Sequence, residues 1–204
     1  MKFRILVTIL ATILTTVAVT PLSIPEAHAF DMVGLIQYNI EQLSHEPSNF
    51  SDQGNGIGYT FLGRLDLGPG QIESGFQYTP ISVTTHESFG EVKTSGSYWI
   101  LPVVYRFEII PPFISIAAGF DYAVEGNTNI EVSGGSVGGG GNSDYRSHFG
   151  YQIGAEATQD LGEDLSAVLD FRYRGGIGEA IAFDGQNTKF NFFMIGIGLK
   201  KHLE

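Results

Sequence analysis

From Asp31 onward the chain repeats one pattern: apolar and polar residues alternate in short runs, and each run stops at a cluster of Gly, Pro, Asp or Asn. Period-two alternation gives an extended strand two unlike faces, and no long stretch keeps the 3.6-residue spacing of a helix. Eight runs qualify: Asp31–Gln42, Gly56–Leu67, Gln71–Val83, Ser97–Phe107, Phe113–Val124, Ser147–Thr158, Leu165–Gly175 and Lys189–Lys200. Each suffices for a tilted strand to cross a bilayer, which takes roughly 9–11 residues. The first also draws as an amphipathic helix over Met32–Leu43.

The connections alternate in length. Gly68-Pro69-Gly70, Pro111-Pro112 and Asp160–Asp164 are short and made of turn residues, whereas Leu43–Asn55, Thr84–Gly96, Glu125–Arg146 and Gly176–Thr188 are long. An even strand number with short turns at one end and long loops at the other is the layout of a transmembrane barrel. The expected fold class is therefore all-β: an eight-stranded antiparallel up-and-down transmembrane β-barrel. Pro102 removes one donor from the fourth strand, so a bulge or local gap is expected there.

The residue types on the two faces choose the solvent. A water-facing sheet carries lysines, yet Lys93, Lys189, Lys200 and Lys201 all fall in loops or at strand ends. The mid-strand charges are Arg64, Asp66, Glu73, Arg106, Asp121, Glu156, Asp170 and Arg172, joined on the same face by Arg174 and Glu41. Small neighbours such as Gly58, Gly75, Ser115, Ala117, Gly119, Gly150 and Gly154 suit the narrow interior of eight strands, which holds only its own side chains. On the opposite face Tyr38, Tyr59, Tyr78, Trp99, Tyr122, Tyr151 and Tyr173 fall near the loop end, with Phe190 or Phe193 completing a ring. Tyr105 and Phe107 begin a sparser ring at the turn end. Tyr and Trp favour the headgroup level because an apolar ring ends in a polar tip.

Lys2 and Arg4, the uncharged run Ile5–Val19, and Ala27-His28-Ala29 read as a signal peptide over residues 1–29, leaving residues 30–204 as the barrel domain. Its cleavage leaves 9 positive and 21 negative charges, net −12. That balance argues against nucleic acid, whose phosphates need a basic surface. The absence of cysteine excludes disulfides, thiolate metal sites and a cysteine nucleophile.

The segment Tyr98-Trp99-Ile100-Leu101-Pro102-Val103-Val104-Tyr105-Arg106-Phe107, then Pro111-Pro112, then Phe113–Tyr122, resembles the central hairpin of the small outer-membrane barrels: the OmpA transmembrane domain, OmpX, OmpW and opacity-type proteins. The resemblance implies a bacterial outer-membrane location, variable surface loops, and lipid, lipopolysaccharide and the barrel-assembly machinery as partners. It implies no single activity. The chain departs from that group by ending Leu199-Lys200-Lys201-His202-Leu203-Glu204 instead of on an aromatic residue.

Three roles remain to be weighed. Buried charges must be paired to be tolerated, so the lumen charges read first as a static plug and second as a gate in a narrow ion or small-solute channel. A lipid A hydrolase would need His, Ser and a carboxylate together. His86-Glu87-Ser88 falls in an expected loop, Ser147-His148 sits at a strand end, and no triad assembles. His45 and His202 add nothing to one. The loop carboxylates Glu46, Asp52, Glu87, Glu91, Glu125, Glu131, Asp144, Glu179 and Asp184 lack ordered metal-ligand spacing, and Gly134–Gly141 reads as a surface tip. The expectation is a monomer without cofactor or metal and without enzymatic activity. It has a structural or surface-interaction role and an unidentified partner at its loops.

Overall fold

A computed structural model describes residues 30–46, 51–87, 90–133, 144–145, 147–177, 181–183 and 186–203. The strands are β1 (Phe30–Glu46), β2 (Ser51–Leu67), β3 (Gly70–Glu87), β4 (Gly90–Ile110), β5 (Ile114–Ser133), β6 (Asp144–Tyr145), β7 (His148–Gly162), β8 (Leu165–Ile177), β9 (Ile181–Phe183) and β10 (Gln186–Leu203). Eight of them pair antiparallel in the order β1-β2-β3-β4-β5-β7-β8-β10, and β10 returns to β1 over the full length from Phe30↔Leu203 to Glu46↔Asn187. This is a closed eight-stranded barrel, and Met32–Leu43 is strand.

The wall is taller than the alternation suggested. The segments Leu43–Asn55 and Thr84–Gly96, expected as loops, are largely strand, and β5 runs on to Ser133. Their polar, glycine-containing sequences hide the period-two signal, while pairing to a neighbour supplies their backbone hydrogen bonds. Two short strands add to the eight: β6 pairs with β9, and β9 with β10, at the loop end. Residues 1–29 and the tip 134–141 lie outside the described residues.

The turns follow local chemistry. Gly68 takes φ +62° ahead of Pro69, a two-residue turn between Leu67 and Gly70. The peptide bond Pro111-Pro112 is cis, and the Phe113 N–H donates to the Ile110 carbonyl (2.6 Å). Glu163 and Asp164 both take positive φ, 50° and 59°, in the β7–β8 turn. At Pro102 the β3–β4 ladder keeps its register but skips from Ser74↔Val103 to Gln77↔Ile100, a gap rather than a bulge. The Ser74 hydroxyl donates to the Pro102 carbonyl (2.9 Å) there. A longer gap separates β2 from β3 between Gly54↔Val83 and Tyr59↔Tyr78, beside Pro80.

Candidate functional site

The lumen is the candidate site, and alternation along each strand puts its side chains there. Three arginines and three carboxylates meet in its centre. The Glu73 carboxylate of β3 lies among three guanidinium groups: Arg64 Nε of β2 at 2.8 Å, Arg106 Nη2 of β4 at 2.9 Å and Arg172 Nη1 of β8 at 2.6 Å. Arg64 also reaches Glu156 on β7 through both terminal nitrogens, at 2.8 and 2.5 Å, which braces the walls across the lumen. Arg172 holds Asp170 (2.7 Å), and Arg106 lies 3.5 Å from Asp170 and 3.4 Å from Glu156. All six side chains are at most 2% exposed. Three cations face three anions, so the cluster is formally neutral, which makes its burial tolerable.

Toward the loop end Arg174 grips Asp121 (2.7 and 2.9 Å), touches His148 Nε2 (3.1 Å) and lies over the Phe192 ring (5.8 Å). Gln152 spans from Asp121 (3.1 Å) to Gln77 (2.9 Å) on the far wall. Above them the lumen turns apolar. Phe190 and Phe192 stack at 6.1 Å, Tyr98 packs edge-on to Phe190 at 5.7 Å, and Ile81, Val83, Ile100, Ala123 and Met194 complete the cluster. Beside the ionic cluster, Val33, Leu35, Leu62 and Val168 form a second apolar group.

Two of the residues singled out in the sequence stand elsewhere. Asp66 faces inward but does not join the ionic cluster. It is half-buried at the turn end, where Gln71 donates to it (2.9 Å) and reaches Asp31 (3.3 Å). Strand tilt and length carry it past the plane of Arg64 to the barrel rim. Phe190 is fully buried in the lumen, so Phe193, 44% exposed, stands in the outer ring instead. The turn-end rim encloses a cavity of about 750 Å³ lined by Asp31, Asp66, Glu108, Asp160, Lys200 and His202 among others. His202 Nδ1 lies 2.7 Å from Asp31 and ties the last strand to the first. Asp31, His148, Gln77, Gln152 and the aromatic lid escape a search for mid-strand charges. Inward alternation through Phe190, Phe192 and Met194 would have found the lid, since that strand is apolar on both faces.

Ser147 is exposed and His148 buried, so adjacent positions place them on opposite faces. The side chains of His45, His86, Glu87 and the acidic loop positions, and all of Ser88, lie outside the described residues. Among the described residues no three His, Asp or Glu side chains converge as a metal site.

The outside mirrors the inside. Tyr59, Tyr78 and Trp99 are direct cross-strand neighbours, Tyr122 pairs with Phe149, and Tyr173 pairs with Phe193. Rings meet at 5.1 Å (Tyr78–Trp99), 4.9 Å (Tyr122–Phe149) and 6.1 Å (Tyr151–Tyr173), and Tyr38 stands exposed on β1. A Cβ on Gly175 would sit 2.4 Å from the Tyr151 ring, which needs that bare backbone to lie flat. Among the described residues 32 large hydrophobic side chains are exposed, against 14 apolar and 18 polar or charged side chains buried. The barrel is built inside out.

No family model matches the chain, and no curated protein matches it. Solved structures of small barrels do. The attachment invasion locus protein Ail of Yersinia pestis matches at 14% identity over 83% of this chain and 97% of that one, TM-score 0.49. Neisserial surface protein A matches at 12% identity over 86% and 99%, TM-score 0.49. The outer membrane protein OprG of Pseudomonas aeruginosa matches at 12% identity over 88% and 97%, TM-score 0.42.

Proposed function

We propose that the mature chain is an integral barrel of a bacterial outer membrane whose lumen is plugged by its own side chains. Its role is structural or surface-interacting. The inverted distribution of polarity carries this reading. A soluble monomer rarely exposes an apolar patch beyond a few hundred Å², whereas here the apolar side chains, Ile36, Phe61, Val103, Phe120, Ile153 and Ile197 among them, are exposed around the wall. In hydrocarbon an unpaired backbone group costs several kcal/mol, and closure through β1–β10 leaves no edge. The signal peptide at residues 1–29 would direct export, the assembly machinery would insert the barrel, and lipid and lipopolysaccharide would surround it as a monomer. An extracellular partner would dock on the loops.

The plug is supported by the Arg64–Glu156 brace and by the aromatic lid above it. Conductance of the refolded mature protein in a planar bilayer tests it. Silence, with insertion shown by protease protection, supports the plugged barrel. Discrete openings altered by Arg106→Ala replace it with the narrow-channel reading and make the ionic cluster a gate. The hydrolase reading draws no support from Ser147 and His148 on opposite faces. Altered lipid A, seen by mass spectrometry of cells with and without the protein, would revive it.

A further inference from the structure

Two side chains under the aromatic lid touch each other, and their contact fixes a protonation state. Arg174 Nη1 of β8 lies 3.1 Å from Nε2 of His148, which is buried at the start of β7. A guanidinium has only donors and stays charged. The nitrogen facing it must accept, so His148 is the neutral imidazole with its proton on Nδ1. Arg174 is held firmly on its other side. Its Nε donates to both oxygens of Asp121 on β5 (2.9 and 3.1 Å), and its Nη2 to one of them (2.7 Å).

The same pair meets both ends of the lid. The Tyr98 ring stands edge-on to the His148 ring at 5.3 Å, and Arg174 Cζ lies 5.8 Å from the centre of the Phe192 ring. Phe190 links the two ends by packing on Tyr98 and stacking on Phe192. Among the described side chains, the charged or titratable groups around His148 are Arg174 on β8, Asp121 on β5, the Tyr98 hydroxyl on β4 and Glu41 on β1. Glu41 shares a register row with Arg174 through Phe192. β10 contributes Phe190 and Phe192, which do not titrate. His148 is the partner that can give way. It forms the last β5–β7 pair, with Ala123, at the strand end, whereas Arg174 is walled in: a Cβ on Gly150 would stand 2.6 Å from its Nη2.

We propose that His148 is a proton-operated latch on the lid. When acid places a second proton on Nε2, an N–H faces an N–H and two like charges meet, the imidazolium leaves Arg174, and the lid of Tyr98, Phe190 and Phe192 opens the upper lumen to the loop side. Histidine is the side chain whose charge ordinarily changes between about pH 5 and 8, and a histidine packed in a two-arrangement contact biases it with pH. The ionic cluster below is untouched, so the opened space ends at Arg64 and Glu156. This latch rests on the plugged-barrel reading and adds an acid-opened vestibule to it.

The chain has no cysteine, so a single thiol under the lid reports access. Thr60 is buried in the lumen, in register with Gln77, and Thr60→Cys nearly keeps its shape. In lipid nanodiscs its labelling rate with a charged methanethiosulfonate is divided by that of Ser147→Cys, exposed at the loop end, which cancels the pH dependence of the thiol itself. An ordinary imidazole goes from about one-tenth charged at about pH 7.5 to almost fully charged at about pH 5, so the ratio should rise roughly tenfold between them. His148→Gln keeps an acceptor for Arg174 but takes no proton, and should hold the ratio at its neutral-pH value. Glu41→Gln should leave the rise intact. A ratio that stays flat overturns the latch, as does a rise that survives in His148→Gln or one that Glu41→Gln removes. Fast labelling already at neutral pH overturns the plugged-barrel reading itself. The ¹⁵N shifts of the His148 ring in the unsubstituted protein give a second readout. A ring protonated on Nδ1 alone at neutral pH and an imidazolium in acid support the latch, whereas an imidazolium at neutral pH or a neutral ring in acid overturns it.

Discussion

Glu73 shows what a single residue carries in this lumen. Its carboxylate touches Arg64, Arg106 and Arg172 at once, so Glu73→Gln leaves the cluster one anion short among side chains that are at most 2% exposed. Breaking a buried pair by removing one partner costs about 3–5 kcal/mol. Glu73→Gln should therefore lower unfolding stability in vesicles by that amount, as followed by the fluorescence of Trp99. A loss below about 1 kcal/mol would show that solvent screens the cluster. That arginines and acids share a face is legible from alternation along each strand. The pairing is not, because Arg64 and Glu156 lie 92 residues apart and meet only across the closed barrel. Asp66 has the same alternation signature as Glu73, yet its height puts it at the rim, and height within the barrel follows from register and tilt.

The β7–β8 hairpin shows what an element tolerates. Glu163 and Asp164 both hold positive φ, a conformation suited to Asn and Gly, and each such non-glycine residue costs of order 1 kcal/mol or more. Glu163→Asn with Asp164→Gly should stabilise the barrel by about 1 kcal/mol in a denaturant titration. The lost contact of Asp164 with Lys201, 3.7 Å and exposed, is too weak to cancel the gain. An unchanged midpoint would show that Glu163 and Asp164 carry no net strain at these φ values. Element existence was legible because turn residues and period-two runs agree. Element length was not. The glycine-rich beginning of β2 and the polar end of β3 carry little alternation, and only pairing makes them strand. Gly54 illustrates why: it falls in the expected loop Leu43–Asn55, yet it is strand, and a Cβ there would stand 2.8 Å from the Glu41 carboxylate of β1.

At the scale of the molecule, the outside fixes depth in a bilayer and the inside fixes permeability, and the two can be probed apart. Trp99, the sole tryptophan, is 44% exposed and packs between Phe76 (6.1 Å) and Tyr78 (5.1 Å) on the outer surface. If that ring marks the headgroup boundary, lipids brominated near the headgroup should quench it more than lipids brominated near the chain end. The reverse order would move the barrel in the membrane by half its thickness. Inside, one contact joins β2 to β7 through the ionic cluster: the Arg64–Glu156 brace. Removing both partners together leaves no unpaired charge, so Arg64→Ala with Glu156→Ala should fold while opening a path between Glu73 and the β7 wall. Arg106 and Arg172 remain to neutralise Glu73 and Asp170. The double variant should conduct in a planar bilayer where the wild type is silent. If both are silent, the seal lies higher, in the lid of Tyr98, Phe190 and Phe192, and Phe190→Ala added to the double variant should then open it.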